Sequence, residues 1–580
     1  MRKTAVQPAL IALLLAGFAL RLYGLGRQSL WYDETVSAFL ASLSPAELVA
    51  HTARDIHPPG YYLLLHFWAQ LTGRSETALA FFSVCLGMLL IPLSYRLAKT
   101  LLNRRIAVWT GFLVAISPYH IWYAQEVRMY TLGAACGLLA AYWAIRALRR
   151  SQLRYWLGYV AAASVGLYAL YYFSFLLIAL NLYFLVAVLR PKVNLTALKL
   201  LIGANLLVLL LYLPWLPIAW RQAINPPVPP WRSPPSLSQA AIESWAALSL
   251  GQSVEPAQVW PLLLLTLALF GLGLAAARQR AATFLAVYTF GPLLLIVALS
   301  AISPLYHVRY LFTYSAGFYV LLAAGLSYLA TRTHSWVAGI VATILLAASL
   351  FSVYQLQFDP RYQADDFRAA VHYIDDHWQP GDALLTNAGY TYTAFTYYTN
   401  IPTLQRQRLL PYRPPAADQP LLLETGTVGG SPQLGWGDPR ADFYAMPAEA
   451  TIAALEQLAR DYPRLWLLRA YDTVTDPTSL IRDWLATHAV PLEDQLFSGP
   501  SNIRAQGFLL LPPPAPPVAE AVPFGDGMRL LGWNLPGQNW QPGDTLSVKL
   551  WWSAATPPSA DYKMSLKLWT PAGQLAAQGR

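Results

Sequence analysis

Two cysteines in 580 residues, Cys85 and Cys136, each inside an apolar run, exclude a disulfide framework and a thiolate metal site. Charge is scarce as well. Asp, Glu, Lys and Arg make up 12% of the chain, against roughly 25% in a soluble domain, while 56% is hydrophobic and the mean hydropathy is +0.37. A chain of that composition must place most of its surface in lipid. There is no glycine-rich phosphate loop and no dinucleotide fingerprint, so a soluble nucleotide pocket is not expected. No HxxxH or DxD spacing is present, which leaves a divalent metal an open option. The formal net charge of +10 raises nucleic acid as a partner, but the basic residues fall between the apolar runs. That distribution is a topology signal and a sign of contact with anionic membrane lipids, and no nucleic acid is expected.

What the chain does have is apolar windows of roughly 17–25 residues, the length that crosses a bilayer. They recur near 6–25, 77–99, 106–122, 129–148, 155–171, 172–190, 198–219, 258–277, 281–302, 310–330 and 335–356. The first follows Met1-Arg2-Lys3 with no small-residue cleavage site before Arg21, so it reads as an uncleaved helix. The segment Tyr61–Leu71 covers only ~17 Å as a helix, short of a ~30 Å hydrocarbon core. Kept at the membrane boundary, it lets Arg104 with Arg105, the arginines at 146–154, Arg190 with Lys192, Arg278 with Arg280, and Arg332 share one side. The positive-inside rule makes that side cytoplasmic. The expectation is a multi-pass protein of the plasma (inner) membrane with about eleven spanning helices and a cytoplasmic N-terminus. The loop 26–76 and everything after 356 then lie outside.

Beyond 357 the pattern changes. Asp365-Asp366 opens a helix-period run, Ala383–Thr386 and Leu465–Ala470 read as strands, and Thr478–His488 as a helix, which predicts a soluble α/β domain over 357–511. After a proline-rich linker, Pro512–Pro517, residues 518–580 alternate as short strands (Leu546–Trp552, Lys563–Trp569) and predict a partial β-sandwich. The fold class expected is therefore an α-helical integral membrane domain, 1–356, followed by these two soluble parts on the outer side.

The exterior loops carry the chemistry. Trp31-Tyr32-Asp33-Glu34 places two carboxylates beside lipid, where ionised groups need a reason to exist. One can act as a general base while its neighbour supports it. Asp55-Ile56-His57-Pro58-Pro59-Gly60-Tyr61-Tyr62 follows, and a capping-box signature at Ser44–Glu47 marks a short helix at 44–53 between the two. A second loop runs from Ser117-Pro118 to Gln125-Glu126-Val127-Arg128-Met129-Tyr130, a third, 220–257, is proline-rich and lid-like, and a fourth holds His307-Val308-Arg309-Tyr310. Arg128 and Arg309 are forks suited to a phosphate, or else interfacial anchors. His57 and His307 suit phosphate binding, proton transfer or metal ligation. Trp31, Tyr32, Tyr61, Tyr62, Trp122 and Tyr123 suit sugar stacking or an aromatic belt. His51, His66 and His120 read as structural, and Asp55 and Glu126 as partners for arginines or as site groups.

Together the three spaced motifs, with His307-Val308-Arg309-Tyr310 and Asp365-Asp366-Phe367-Arg368, resemble those of bacterial GT-C glycosyltransferases. The likeness is to the protein-mannosyltransferase-like group that includes rhizobial lipopolysaccharide core transferases and is related to the lipid A aminoarabinose transferase. It covers about residues 6–390. The resemblance implies a GT-C fold and inverting transfer from a polyprenyl-phosphate sugar donor at the extracytoplasmic face. It makes Asp33 the base with Glu34 in support, and gives substrate contact to His57, Tyr61, Gln125, Glu126, Arg128, Tyr130, His307 and Arg309. A glycan, lipid or protein acceptor fits equally. Some relatives use a divalent metal and others none. Two other function classes fit the composition: a transporter or flippase of lipid-linked sugars, and an inactive sugar-binding scaffold. A transporter would carry charges near mid-membrane, whereas here they gather at one face.

Overall fold

The computed structural model describes residues 3–150, 152–189, 193–228, 235–401, 405–408, 421–425, 427–428, 433–510, 522–525, 527–534, 548–554 and 565–579. The Pro512–Pro517 linker, residues 190–192 and 229–234, and the starts of the two expected tail strands lie outside these.

All eleven expected positions are helical. Five helices are long and apolar enough to span by themselves: Glu76–Leu101, Tyr130–Arg150, Leu195–Tyr212, Gln279–Leu299 and Ser335–Phe358. A sixth span results if Val308–Tyr314 and Ala316–Arg332, bent by 66°, count as one. The other five positions hold helices of 13 to 20 residues. The result is a multi-pass membrane protein whose apolar side chains, such as Leu182, Leu206 and Leu294, stay exposed where lipid takes the place of water. The helix Gly60–Thr72 has 13 residues; it buries Tyr61, Tyr62, Leu65, His66 and Ala69 and exposes Leu64, Phe67 and Leu71.

One helix break shows how the sequence dictates the site end of the bundle. Helix Arg104–Ile116 stops because Pro118 has no N–H for the carbonyl of Val114. Fully buried Arg21 fills that vacancy, donating to Val114 O at 3.0 Å and Ala115 O at 3.0 Å. Ser117 then caps a new helix, Pro118–Gln125, which delivers Gln125 and Glu126 to the site. The expected cap at Ser44 is also present: Glu47 Oε2 accepts from Ser44 N at 3.1 Å, opening helix Pro45–Thr52.

The α/β part is a six-stranded mixed sheet. Asp382–Thr386 is central, parallel to Leu421–Glu424 on one side and Arg464–Arg469 on the other, with Gln405–Arg408 parallel beyond Leu421–Glu424. Arg504–Leu510 and Ala489–Leu496 complete it as antiparallel strands. Ala383, Leu384 and Leu385 are all buried, as a central strand covered on both faces requires. Leu384, Trp466 and Leu468 join the core of the membrane part, whereas Ala383 and Leu385 join a second core with Leu455, Leu458 and Ile481.

The soluble domain is therefore seated on the membrane domain through a shared core. Tyr398 OH accepts from Leu30 N at 2.7 Å and meets Glu76; Arg368 donates to Gln28 O at 2.8 Å and pairs with Glu76 at 3.0 Å. His51 meets Asp442 at 3.1 Å. In the tail the described strands form two separate antiparallel sheets, of three and two strands, with Trp533 and Trp569 exposed.

Candidate functional site

Helix Tyr32–Ser42 starts at the site, with Trp31 as its N-cap. Consecutive residues on a helix point about 100° apart, so the Asp33-Glu34 pair is split. Glu34 turns toward the next loop: Oε1 accepts from Val127 N at 2.7 Å and Oε2 from Trp31 N at 3.3 Å. It thereby ties the segment that opens this helix to the loop carrying Val127. Asp33 turns the other way, between two arginines.

Arg128 is the buried hub. Nη1 donates to the Asp33 carbonyl at 2.9 Å and to the Tyr62 hydroxyl at 3.3 Å, and Nη2 reaches His57 Nε2 at 3.0 Å and Asp33 Oδ2 at 3.5 Å. A guanidinium only donates, so His57 Nε2 must accept here, and the ring proton sits on Nδ1, facing Asp55 Oδ2 at 3.4 Å. The Asp55 loop is pinned from behind by Gln222, whose amide donates to Asp55 O at 2.5 Å. Arg309 approaches Asp33 from the opposite side: Nη1 to Oδ2 is 3.1 Å, its Nε donates to His307 Nδ1 at 3.2 Å, and its guanidinium lies 5.3 Å above the Trp31 ring.

Electrostatics separate the carboxyls. Burial works against a charged Asp33, but Arg128 and Arg309 outweigh it and hold its pKa below the usual carboxylate range. Burial pushes Glu34 up to about 8, with Glu126 adding repulsion. Burial also raises Glu126, whose Oε1 accepts from Trp122 Nε1 at 2.7 Å. Asp33 is thus the carboxylate kept anionic, and it is the one coupled to fixed cations.

Two cavities meet here. The larger, about 580 Å³, is lined by Asp33, Asp55, His57, Arg128, Tyr130, His307 and Arg309, and roofed by Asp365, Tyr390, Phe443 and Tyr471 of the soluble domain. The smaller, about 310 Å³, takes Glu34, Gln125 and Glu126, and shares Trp31, His307 and Arg309 with its neighbour. Of the residues singled out in sequence, Tyr61 lines neither cavity; it is fully buried against Tyr62 and Phe82, while Tyr62 is the tyrosine that meets Arg128. His51, His66 and His120 pack inside, on Asp442, Ala41 O and Ser315.

The sequence reading missed the roof residues Tyr390 and Tyr471. It missed as well the stacked pair Tyr172 and Tyr310, 3.5 Å apart with rings 9° from parallel. Asp365 had a signal, the Asp-Asp-Phe-Arg run, and Tyr310 had the His-Val-Arg-Tyr run; Tyr172, Tyr390 and Tyr471 had none. Among the described residues no group of three His, Cys, Asp or Glu is arranged to hold a metal. Both His57 nitrogens are engaged, by Asp55 and Arg128, so metal ligation there would first break the Arg128 contact. What the arrangement presents is an anionic carboxylate, two guanidinium groups beside it and an aromatic surround.

A family model described as dolichyl-phosphate-mannose-protein mannosyltransferase matches residues 56–218, a stretch that includes His57 and Arg128. Among solved structures, ArnT from Cupriavidus metallidurans in the apo state aligns over 87% of this chain and 98% of its own, with TM-score 0.57 at 12% identity. The same protein bound to undecaprenyl phosphate aligns over 87% and 98%, with TM-score 0.53 at 13% identity. The oligosaccharyltransferase AglB from Archaeoglobus fulgidus, in complex with an inhibitory peptide and a dolichol-phosphate, covers 82% of this chain and 71% of its own, with TM-score 0.44 at 13% identity. No curated protein sequence matches the chain.

Proposed function

We propose that this chain, which has the GT-C fold seen in ArnT, is a membrane glycosyltransferase. In this reading it moves a sugar from a polyprenyl-phosphate donor to an acceptor hydroxyl at the extracytoplasmic face, with inversion. The observation that carries the proposal is the Asp33 carboxylate held between Arg128 and Arg309 in a cavity at one end of a lipid-facing helix bundle. A donor whose tail stays in the bilayer needs only its phosphosugar to reach that boundary. It needs no nucleotide pocket, in keeping with the motifs absent from the sequence.

Each group then has a task. Asp33 takes the proton of the acceptor hydroxyl as its oxygen bonds to the anomeric carbon. On the opposite face the bond from that carbon to the phosphate oxygen breaks, and the polyprenyl phosphate leaves with the electron pair. Arg128 already engages both terminal nitrogens, on Asp33 O, Tyr62 and His57, so it positions the base. Arg309 is more exposed and bonds Asp33 through one nitrogen, which leaves it able to turn to the leaving phosphate. Once it does, Asp33 loses a cation and its proton affinity rises. The base strengthens only when donor is bound.

The test uses purified full-length protein, labelled polyprenyl-phosphate sugars, and Asp33→Asn beside wild type. Loss of transfer by ~10²–10⁴-fold is expected in a variant that still folds, with a melting temperature lowered by the lost Arg128 and Arg309 pairing. Transfer surviving the substitution would remove Asp33 as base, and absence of transfer from every donor would sink the proposal.

A further inference from the structure

The smaller cavity differs in kind from the one that holds Asp33. Its polar wall is built from neutral amides, Gln28, Gln125, Gln252, Gln357 and Gln363, set beside the indoles of Trp31 and Trp122. The charged groups along it are already engaged: Glu76 pairs with Arg368 at 3.0 Å, Arg361 with Asp359 at 2.7 Å, and Arg309 with Asp33 at 3.1 Å. Asp365 accepts from the Tyr471 hydroxyl at 2.9 Å and Glu126 from Trp122 Nε1 at 2.7 Å. Glu34, with a pKa of about 8, is mostly uncharged near neutral pH.

The amides are not all used up. Gln357 is 2% exposed, gives its Nε2 to Gln125 Oε1 at 3.1 Å, and has an Oε1 with no hydrogen-bond partner. A buried amide oxygen without a partner is unusual enough to ask for one. The Gln363 side chain makes no hydrogen bond among the described residues. Gln252 donates to Tyr123 OH at 2.8 Å. Amides both donate and accept, which suits hydroxyl groups, and flat indole faces suit the C–H faces of a sugar ring.

We infer that this cavity is the acceptor subsite, and that it takes an uncharged, hydroxyl-rich sugar ring of a glycan rather than a phosphorylated head group or a peptide. The inference rests on the glycosyltransferase reading above. A second phosphate would need a cation of its own, and of the two arginines lining this cavity Arg361 already faces Asp359 while Arg309 is the group assigned above to the donor phosphate. The volume, about 310 Å³, is at the lower end for small-molecule pockets and fits a short glycan end. Its position fits as well. Because the cavities share Trp31, His307 and Arg309, a hydroxyl arriving through the smaller one meets the Arg309–Asp33 pair, where the donor phosphosugar is expected from the other side.

Saturation-transfer NMR on the full-length solubilised protein tests this without turnover. The probes are methyl glycosides of neutral hexoses and pentoses, glucose 1-phosphate, and a Ser/Thr-containing peptide. Neutral glycosides are expected to bind, and Gln363→Leu and Gln252→Leu to weaken them about tenfold at unchanged melting temperature. In transfer assays the same variants should raise the acceptor KM and leave the donor KM alone. Binding confined to glucose 1-phosphate or the peptide, or glycoside binding indifferent to both variants, would overturn the inference. Glycoside binding without transfer from any donor would instead sink the transferase reading, so the two failures are distinguishable.

Discussion

Arg128 and Arg309 hold one carboxylate, but their removal should read out differently. Arg128 has a side chain 2% exposed and three protein acceptors besides the carboxylate. Arg128→Ala leaves Asp33 O, the Tyr62 hydroxyl and His57 Nε2 without their donor in a buried site, and is expected to cost about 3–5 kcal/mol, seen as a large drop in melting temperature. Arg309 is 22% exposed and leaves Asp33 still paired when removed. Arg309→Ala should barely change stability. It should raise the Asp33 pKa, and since the base must be ionised, the acid limb of the kcat/KM profile should move to higher pH. An acid limb unmoved by the change would separate Arg309 from Asp33 in function.

Glu34 gives a sign of its own. Its folded pKa, about 8, lies above the ~4.3 of an unfolded glutamate. The folded state therefore holds a proton the unfolded state has released. The stability this contributes is complete below the unfolded value and is lost as pH rises through about 8. Melting temperature should fall across that window in wild type and fall less in Glu34→Gln. Equal slopes would place the titrating group elsewhere.

At the scale of elements, helices cannot gain from hiding apolar surface in a lipid that is equally apolar, so close packing has to hold them. Helices Trp260–Ala276 and Ala316–Arg332 cross at two glycines. A Cβ on Gly273 would sit 1.9 Å from Leu321 O, and one on Gly325 would sit 2.0 Å from Leu269 O. Gly273→Ala and Gly325→Ala should each lower stability by about 1–3 kcal/mol. Because either one pushes the same pair of helices apart, the double variant should cost less than the sum, measured as a double-mutant cycle.

This crossing also shows where sequence reasoning stops. Helix positions were legible because an apolar run of spanning length must close its backbone hydrogen bonds within itself once it enters lipid, and a helix does so. The capping box at Ser44 is legible in local chemistry; the break at Pro118 has a local cause too, yet it falls inside the single window expected over 106–122. The partner of a glycine is not written beside it. Nor is the rotation that sends Asp33 to one cavity and Glu34 to another, or that buries Tyr61 and leaves Tyr62 on Arg128. Tyr390 and Tyr471 reach the Asp33 cavity only because the soluble domain folds back over it, a placement no local pattern encodes.

At the scale of the whole molecule, that fold-back makes the two soluble parts unequal. The sheet strand Asp382–Thr386 sends Leu384 into the core shared with the membrane helices, and Asp365, Tyr390 and Tyr471 close the larger cavity. A chain ending at 356 would open the cavity and expose that core face, so it should lose both transfer and thermal stability. Residues beyond 510 stand differently: among the described residues, none of them lines either cavity. Their strands pair in two small sheets of their own. A chain of residues 1–510 should therefore keep its melting temperature, its glycoside binding and its transfer rate within about twofold, since the hydrogen bonds and charges around Asp33 are untouched. If 1–510 stays folded yet loses affinity for a long acceptor while keeping it for a methyl glycoside, the tail strands bind the acceptor beyond its terminal ring. If it loses the methyl glycoside too, the assignment of the whole site to the first 510 residues is wrong.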